Sequence, residues 1–308
     1  MLSRAAVAIP AQLYIAHNLA ALPAAYAAAK KRRCSFGFDA EDFHTEELTD
    51  SQRDKGDQRA REIIENNLLP RCSYRTAASP LIAEIYHRKY GVTMQPILNV
   101  FPLCQAPQHE PDTALPMPRS MYWFSQTVGS GRGVEEVLQA MGSMINPPFL
   151  YIRGNVSPSY KAQIFEVSER LGIAAKVQVL PPAAPDQMAR LSAGYSLGLA
   201  VEPGSSPNNK IALSNKIFTY LLAGIPVLLS RTPAQEALAE DLGDAGILID
   251  LADPKQLGAT LSDFLADEPR QHRARAAAWR IAHERYNWDI EKHKFLALVE
   301  RTLLSYGT

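Results

Sequence analysis

Short apolar runs alternate with helix-favouring stretches in two successive series along this 308-residue chain, and prolines at 102, 107, 111, 116 and 118 divide the two series. Such alternation restricts the fold to parallel sheets, because each crossover helix returns the chain over a sheet face and both faces end up covered. In the first series strands are expected at Leu13 to Ala16, Cys34 to Phe38, Ser73 to Thr76 and Pro96 to Val100, with helices at Leu19 to Arg33, Arg59 to Asn67 and Pro80 to Tyr90. The second series restarts at Met121 to Phe124 and continues with strands at Phe149 to Arg153, Lys176 to Leu180, Ser196 to Val201, Val227 to Ser230 and Ile247 to Asp250. Helices fall between most of these, at Val134 to Gly142, Ser159 to Leu171, Pro185 to Ala193 and from Ser214 onward. The expected architecture is α/β with two Rossmann-like domains: a partial first domain over 1–115, a second over 119–288, and a last helix over 289–308 that crosses back to the first. The first domain shows about four strands where a dinucleotide-type domain has about six, so either its sheet has an uncovered edge or its first units lie outside this chain.

Lys plus Arg equals Asp plus Glu at 32 each, which gives no global attraction to nucleic acid. Cys34, Cys72 and Cys104 show neither CxxC nor Cys/His spacing, which argues against a disulfide framework or a zinc site and points to a reducing cytoplasm. Residues 1–20 are interrupted by Pro10, Gln12, His17 and Asn18 and read neither as a signal peptide nor as a membrane span.

Ser214-Asn215-Lys216-Ile217-Phe218-Thr219-Tyr220-Leu221-Leu222-Ala223-Gly224-Ile225-Pro226-Val227 reads as a helix that starts on an N-cap serine and stops at Gly224 before a buried strand. It is either an ordinary capped helix or an anion site, since Asn215 and Lys216 sit in the first turn, where free N–H groups and the dipole favour negative charge. The turn Gln126-Thr127-Val128-Gly129-Ser130-Gly131-Arg132-Gly133 opens another helix and combines three glycines with a guanidinium suited to phosphate. Alone it is a structural turn as readily as a ligand turn; together with the Ser214 helix it suggests a diphosphate cradle. Polar residues also stand at expected strand ends: His17, Asp39, Arg153-Gly154 and Glu202. His17 suits either proton transfer or a structural hydrogen bond.

The segments Trp123-Phe124-Ser125-Gln126 through Arg132-Gly133-Val134-Glu135, Tyr151-Ile152-Arg153-Gly154, the Ser214 to Val227 helix and Trp288-Asp289 together resemble a family-four-type glycosyltransferase of the GT-B fold. Tyr14-Ile15-Ala16-His17-Asn18 and Phe38-Asp39-Ala40-Glu41-Asp42 are similar to its acceptor-side segments. The resemblance implies retaining transfer of a sugar from a nucleoside diphosphate-sugar to a saccharide or lipid-linked acceptor, in polysaccharide or glycolipid assembly, with no metal and no further cofactor. It implies that Gly129, Gly131, Arg132, Arg153, Gly154, Ser214, Asn215, Lys216 and Thr219 bind the donor and that His17 and Asp39 are catalytic. The pattern departs from the family at Thr127, where a second basic residue is usual, and at Thr219, where a ribose-holding Glu is usual. A non-catalytic nucleotide-sugar-binding protein is the alternative, and a nucleotide-sugar epimerase a further one. The stretch Asp39 to Glu47 suits a solvated loop or acceptor edge better than a divalent ion. Lys30-Lys31-Arg32-Arg33 closes an Ala-rich helix, either complementing its dipole or making peripheral contact with anionic lipid.

Overall fold

A computed structural model describes residues 2–49, 51, 54–110, 115–116 and 118–306. The chain forms two compact units, the first made of Met1–Asn99, Gly204–Leu213 and Glu291–Thr308, the second of Val100–Pro203 and Ser214–Ile290. Residues 204–213, which the sequence places within the second domain, belong to the first unit. The proline-rich stretch includes residues 111–114 and 117, which lie outside the described residues.

Unit 1 opens with α1 (Leu2–Ala8) and then alternates β1 (Leu13–Ala16), α2 (Leu22–Arg32), β2 (Ser35–Ala40), α3 (Lys55–Leu68), β3 (Tyr74–Ala77), α4 (Pro80–Tyr90) and β4 (Gln95–Pro96). Its strands form one parallel sheet in the order β1-β2-β3-β4. Leu22, Phe38, Leu69, Ile82 and Tyr86 are fully enclosed in its core. The expected strand over Pro96 to Val100 shrinks to two residues, because the Leu98 N–H donates to the Glu291 carboxylate at 2.9 Å rather than to a neighbouring strand. Helix α4 shows how local chemistry sets an element: the Ser79 hydroxyl accepts from the Ile82 N–H, Pro80 occupies the first turn, and Gly91 ends the helix at φ 65°.

Unit 2 runs β5 (Ser120–Val128), α5 (Val134–Gly142), β6 (Phe149–Val156), α6 (Pro158–Arg170), β7 (Val177–Leu180), α7 (Met188–Ser192) and β8 (Leu197–Ala200). The short α8 (Pro207–Ile211) belongs to unit 1, after which unit 2 resumes with α9 (Asn215–Leu222), β9 (Val227–Ser230), α10 (Pro233–Leu242), β10 (Gly246–Ile249), α11 (Pro254–Ala266) and α12 (Glu268–Glu284). The last helix, α13 (Trp288–Tyr306), begins in unit 2 and continues into unit 1, where Phe295 packs edge-on against Tyr74. All six strands of unit 2 are parallel, in the order β10-β9-β8-β5-β6-β7. The strand direction of travel reverses between β5 and β8, so the loops leaving those two strands diverge and open a crevice at their carboxyl ends.

Helix α9 is fixed on this sheet by one aromatic side chain. The Tyr220 hydroxyl donates to the carbonyls of Tyr122 and Leu199, at 3.0 and 3.3 Å, and its ring covers Gly198 in β8 so closely that a Cβ there would lie 2.2 Å from it. At the far end the Gly224 N–H bonds the Leu221 carbonyl and the Ile225 N–H bonds the Tyr220 carbonyl, which closes the helix as a Schellman turn.

Candidate functional site

The carboxyl-terminal part of β5 carries a bulge. Its pairing with β6 shifts register between Phe124 and Thr127, and the displaced Ser125 carbonyl presses on Gly154, which sits at φ 148°. A Cβ at Gly154 would stand 2.0 Å from that oxygen, so glycine is required there by the bulge. The strand thus runs on to Val128, further than the Phe124 end expected, and the turn that follows is confined to Gly129–Gly133.

Below this bulge lies a cavity of about 680 Å³ within unit 2. Its wall includes Thr127 and Arg132 after the bulge, Arg153 and Gly154 at the end of β6, Met188 of α7, and Asn215 and Lys216 in the first turn of α9. It therefore occupies the carboxyl ends of the central strands, where a parallel sheet of this order binds ligands.

Three cations face it, each held differently. Arg132 is exposed and donates to the Ser125 hydroxyl at 3.1 Å. Arg153 is anchored from below, through Nε to the Tyr122 hydroxyl at 2.7 Å and through Nη1 to the Pro181 carbonyl at 2.8 Å. Burial pushes the Tyr122 phenol up to about 12, against the pull of Arg153, so this anchor stays neutral. Lys216 is only 7% exposed; its ammonium lies 3.5 Å from Glu202, 3.3 Å from the Ser214 hydroxyl and 5.4 Å from the centre of the Trp123 ring. Burial pulls the Lys216 pKa below its usual value, with Glu202 pulling the other way and Arg132 adding to the depression. A buried ammonium with one carboxylate partner and a second cation nearby gains most from an arriving anion.

Five of the nine donor-site residues expected from the sequence line this cavity: Arg132, Arg153, Gly154, Asn215 and Lys216. Ser214 occupies the N-cap position without capping, because its hydroxyl accepts from Lys216 instead of from a backbone N–H. The first turn of α9 consequently keeps donors free of any side-chain cap. Thr219 is 2% exposed and its hydroxyl donates back to the Asn215 carbonyl at 3.1 Å, which removes it from the lining. Gly129 and Gly131 border open space; in this turn the close approach belongs to Gly133, where a Cβ would meet Val201 at 2.7 Å. Glu202, read from the sequence only as a polar strand end, is the counterion of Lys216, and Ser125 is the partner of Arg132. Neither pairing has a signal in residue spacing.

His17 and Asp39 come together in unit 1 at the carboxyl ends of β1 and β2. The His17 Nδ1 lies 2.9 Å from one Asp39 oxygen, while the Thr76 hydroxyl donates to the other at 2.6 Å. The His17 side chain is 67% exposed, so its Nε2 faces away from a carboxylate that orients the ring. Glu41 joins them, with one ligand-type atom from each of the three within 4.8 Å of the others.

The two parallel-sheet units, with this cavity at the switch point of the second, are the GT-B fold. No protein-family model matches the chain, and no curated protein matches it. Solved structures do. HepE from Anabaena, in complex with UDP-glucose, superposes with a TM-score of 0.77 at 17% identity, over 97% of this chain and 81% of that one. Sucrose-phosphate synthase from Thermosynechococcus elongatus gives 0.76 at 14% identity, over 96% of this chain and 74% of that one. A glycosyltransferase from Rickettsia africae gives 0.76 at 11% identity, over 98% of this chain and 80% of that one.

Proposed function

We propose that the chain transfers a sugar from a nucleoside diphosphate-sugar bound in the unit 2 cavity. The observation that carries this reading is the convergence of Arg132, Arg153 and Lys216 on one cavity beside the uncapped start of α9. A diphosphate brings about two negative charges to a place already furnished with positive charge that needs no reorganisation. During transfer the bond between the anomeric carbon and the diphosphate oxygen breaks, and negative charge grows on the departing diphosphate. Arg132 and Lys216 stabilise it there, while Arg153, braced by Tyr122 and Pro181, holds the wall of the cavity in place. UDP-glucose in the HepE structure supports a uridine donor as the first to try. Retention of the anomeric configuration, a saccharide or lipid-linked acceptor, and roles for His17 and Asp39 complete the proposal. The Asp39 carboxylate orients the His17 ring, which suits contact with a donor or acceptor hydroxyl.

Incubation with UDP-glucose and a panel of saccharide and lipid-linked acceptors tests this, with acceptor-dependent UDP release as the expected result. One observation favours a second reading, a nucleotide-sugar-binding protein without transfer: Thr219 is turned into its own helix and offers the donor ribose no acceptor. Saturable UDP binding with no turnover across the panel would decide for that reading, and conversion of the donor without an acceptor would indicate an epimerase.

A further inference from the structure

A second cavity of unit 2, of about 760 Å³, opens at the amino ends of β5, β6 and β7, the opposite end of the sheet from the donor cavity. The transfer proposed above leaves it unused. Its walls are Arg119 just before β5, residues 143–149 between α5 and β6, Lys176 just before β7, and one side of α11. Helix α11 sends Leu257, Leu261 and Phe264 into the core and turns Lys255, Ala259, Ser262 and Ala266 to the cavity. Beyond Lys255 these side chains are short, which leaves the space open. A Cβ on Gly258 would lie 2.6 Å from the Ser143 hydroxyl and 2.9 Å from the Ala140 carbonyl, so α11 and the end of α5 are held in direct contact beside it.

The lining joins an apolar wall to charge of one sign. Met144, Phe149 and Leu265 supply apolar surface, and Ile145 at the margin is 96% exposed. Arg119, Lys176 and Lys255 line the cavity with no acidic residue among them, in a chain whose two charge types are equal in number. Arg119 is paired with Glu268 at 2.8 Å. Among the described residues Lys176 and Lys255 have no acidic partner, and the Lys176 ammonium lies instead 4.3 Å from the centre of the Phe149 ring. Lys255 stands in the first turn of α11, where the helix dipole opposes a cation, and the Asp253 carboxylate is engaged in capping that turn, accepting from the Lys255 and Gln256 N–H groups. A bound anion would offset both disadvantages. The volume is that of a small-molecule site, for which about 300–1,000 Å³ is usual.

We infer that this cavity binds a small organic anion with an apolar body, the body lying against Met144, Phe149 and Leu265 and the charge beside Lys176 and Lys255. The test uses the whole protein with anilinonaphthalene sulfonate, whose fluorescence rises on leaving water, and with its uncharged parent, phenylnaphthylamine. The sulfonate is expected to fill one saturable site that UDP does not displace, and to slow amide exchange over residues 143–149 and 255–266. Lys176→Gln/Lys255→Gln removes both charges and keeps most of each stem. A solvent-screened ionic contact contributes about two- to fivefold in affinity, so the double variant should bind the sulfonate about 4- to 25-fold more weakly and the uncharged parent equally well. Ala259→Trp fills the cavity from an exposed helix position and should abolish binding of both dyes. Lys161→Gln/Arg170→Gln, two exposed cations of α6, should leave both affinities unchanged. Near-ultraviolet circular dichroism establishes that each variant keeps its native packing. No saturable binding, displacement of the sulfonate by UDP, retained binding in Ala259→Trp, or equal loss in the α6 control would overturn the inference. A dimer that Ala259→Trp disperses, or an acidic leucine-containing peptide that binds here where the sulfonate does not, would also overturn it, because the occupant would then be a protein surface. The dye titrations do not depend on nucleotide, so their failure would leave the donor reading untouched.

Discussion

Replacing Lys216 by Met keeps the length of side chain that lies over Trp123 and removes the buried charge. Among the described residues that charge has two polar neighbours, Glu202 at 3.5 Å and Ser214 at 3.3 Å, and both distances are long for an ammonium. A donor phosphate would supply its strongest contact. Loss of one charge-assisted hydrogen bond costs about 1.5–3 kcal/mol, so UDP should bind Lys216→Met about 10- to 150-fold more weakly. Arg132 and Arg153 remain, so binding should be reduced and not abolished. The counterion supplies an internal check. Glu202 competes with phosphate for the same ammonium, and Glu202→Gln should therefore bind UDP at least as tightly as the native protein. In Lys216→Met the unpaired Glu202 carboxylate adds repulsion, and the double variant should recover part of the lost affinity. Titration calorimetry with UDP at neutral pH measures all four proteins. A change below about twofold for Lys216→Met would refute the assignment, since it falls short of even the weakest charge-assisted contact.

Three further outcomes follow from the same geometry. Gly198→Ala forces a methyl into the Tyr220 ring and strains the seat of α9; it should destabilise unit 2 by about 2–3 kcal/mol, read from the denaturant midpoint, whereas an unchanged midpoint would show that α9 is held elsewhere. Burial depresses the folded-state Lys216 pKa below 10.5, so between that depressed value and 10.5 the unfolded chain binds more protons. Across this window stability should rise with pH while UDP affinity falls, and Lys216→Met should remove both slopes. Asn208→Ala deletes the side chain that accepts from the Phe43 N–H and donates to Asp42, both at 2.7 Å; a buried loss of this kind costs about 1–3 kcal/mol and should expose residues 204–213 to proteolysis.

Elements with strong punctuation were legible in the sequence. Helix α4, between Ser79-Pro80 and Gly91, and β9, between Pro226 and its polar end, fall where capping and apolar runs place them. Helix α12 was not legible, because the residues it buries include Ala274, Ala278 and Ala282, small side chains at helical spacing that leave no hydrophobic period, together with Gln271 and Arg275. The site divides in the same way. Arg132 and Lys216 were legible because each sits at the start of a helix that follows a strand. Glu202 was not, since its pairing with Lys216 depends on how the β8 end meets α9. For Thr219, spacing gives its place on the helix but not that its hydroxyl turns back to Asn215. The bulge in β5 likewise has no local signal, and its clearest trace in sequence is the glycine at 154.

The central claim, that the cavity at the carboxyl ends of the unit 2 strands holds the donor diphosphate, is tested most directly by amide hydrogen exchange with and without saturating UDP. The prediction is slowed exchange in two separated segments, Ser125 to Arg132 and Asn215 to Thr219, with both effects weakened in Lys216→Met. Protection confined to other parts of the chain, or no protection at a UDP concentration that saturates binding, would contradict it.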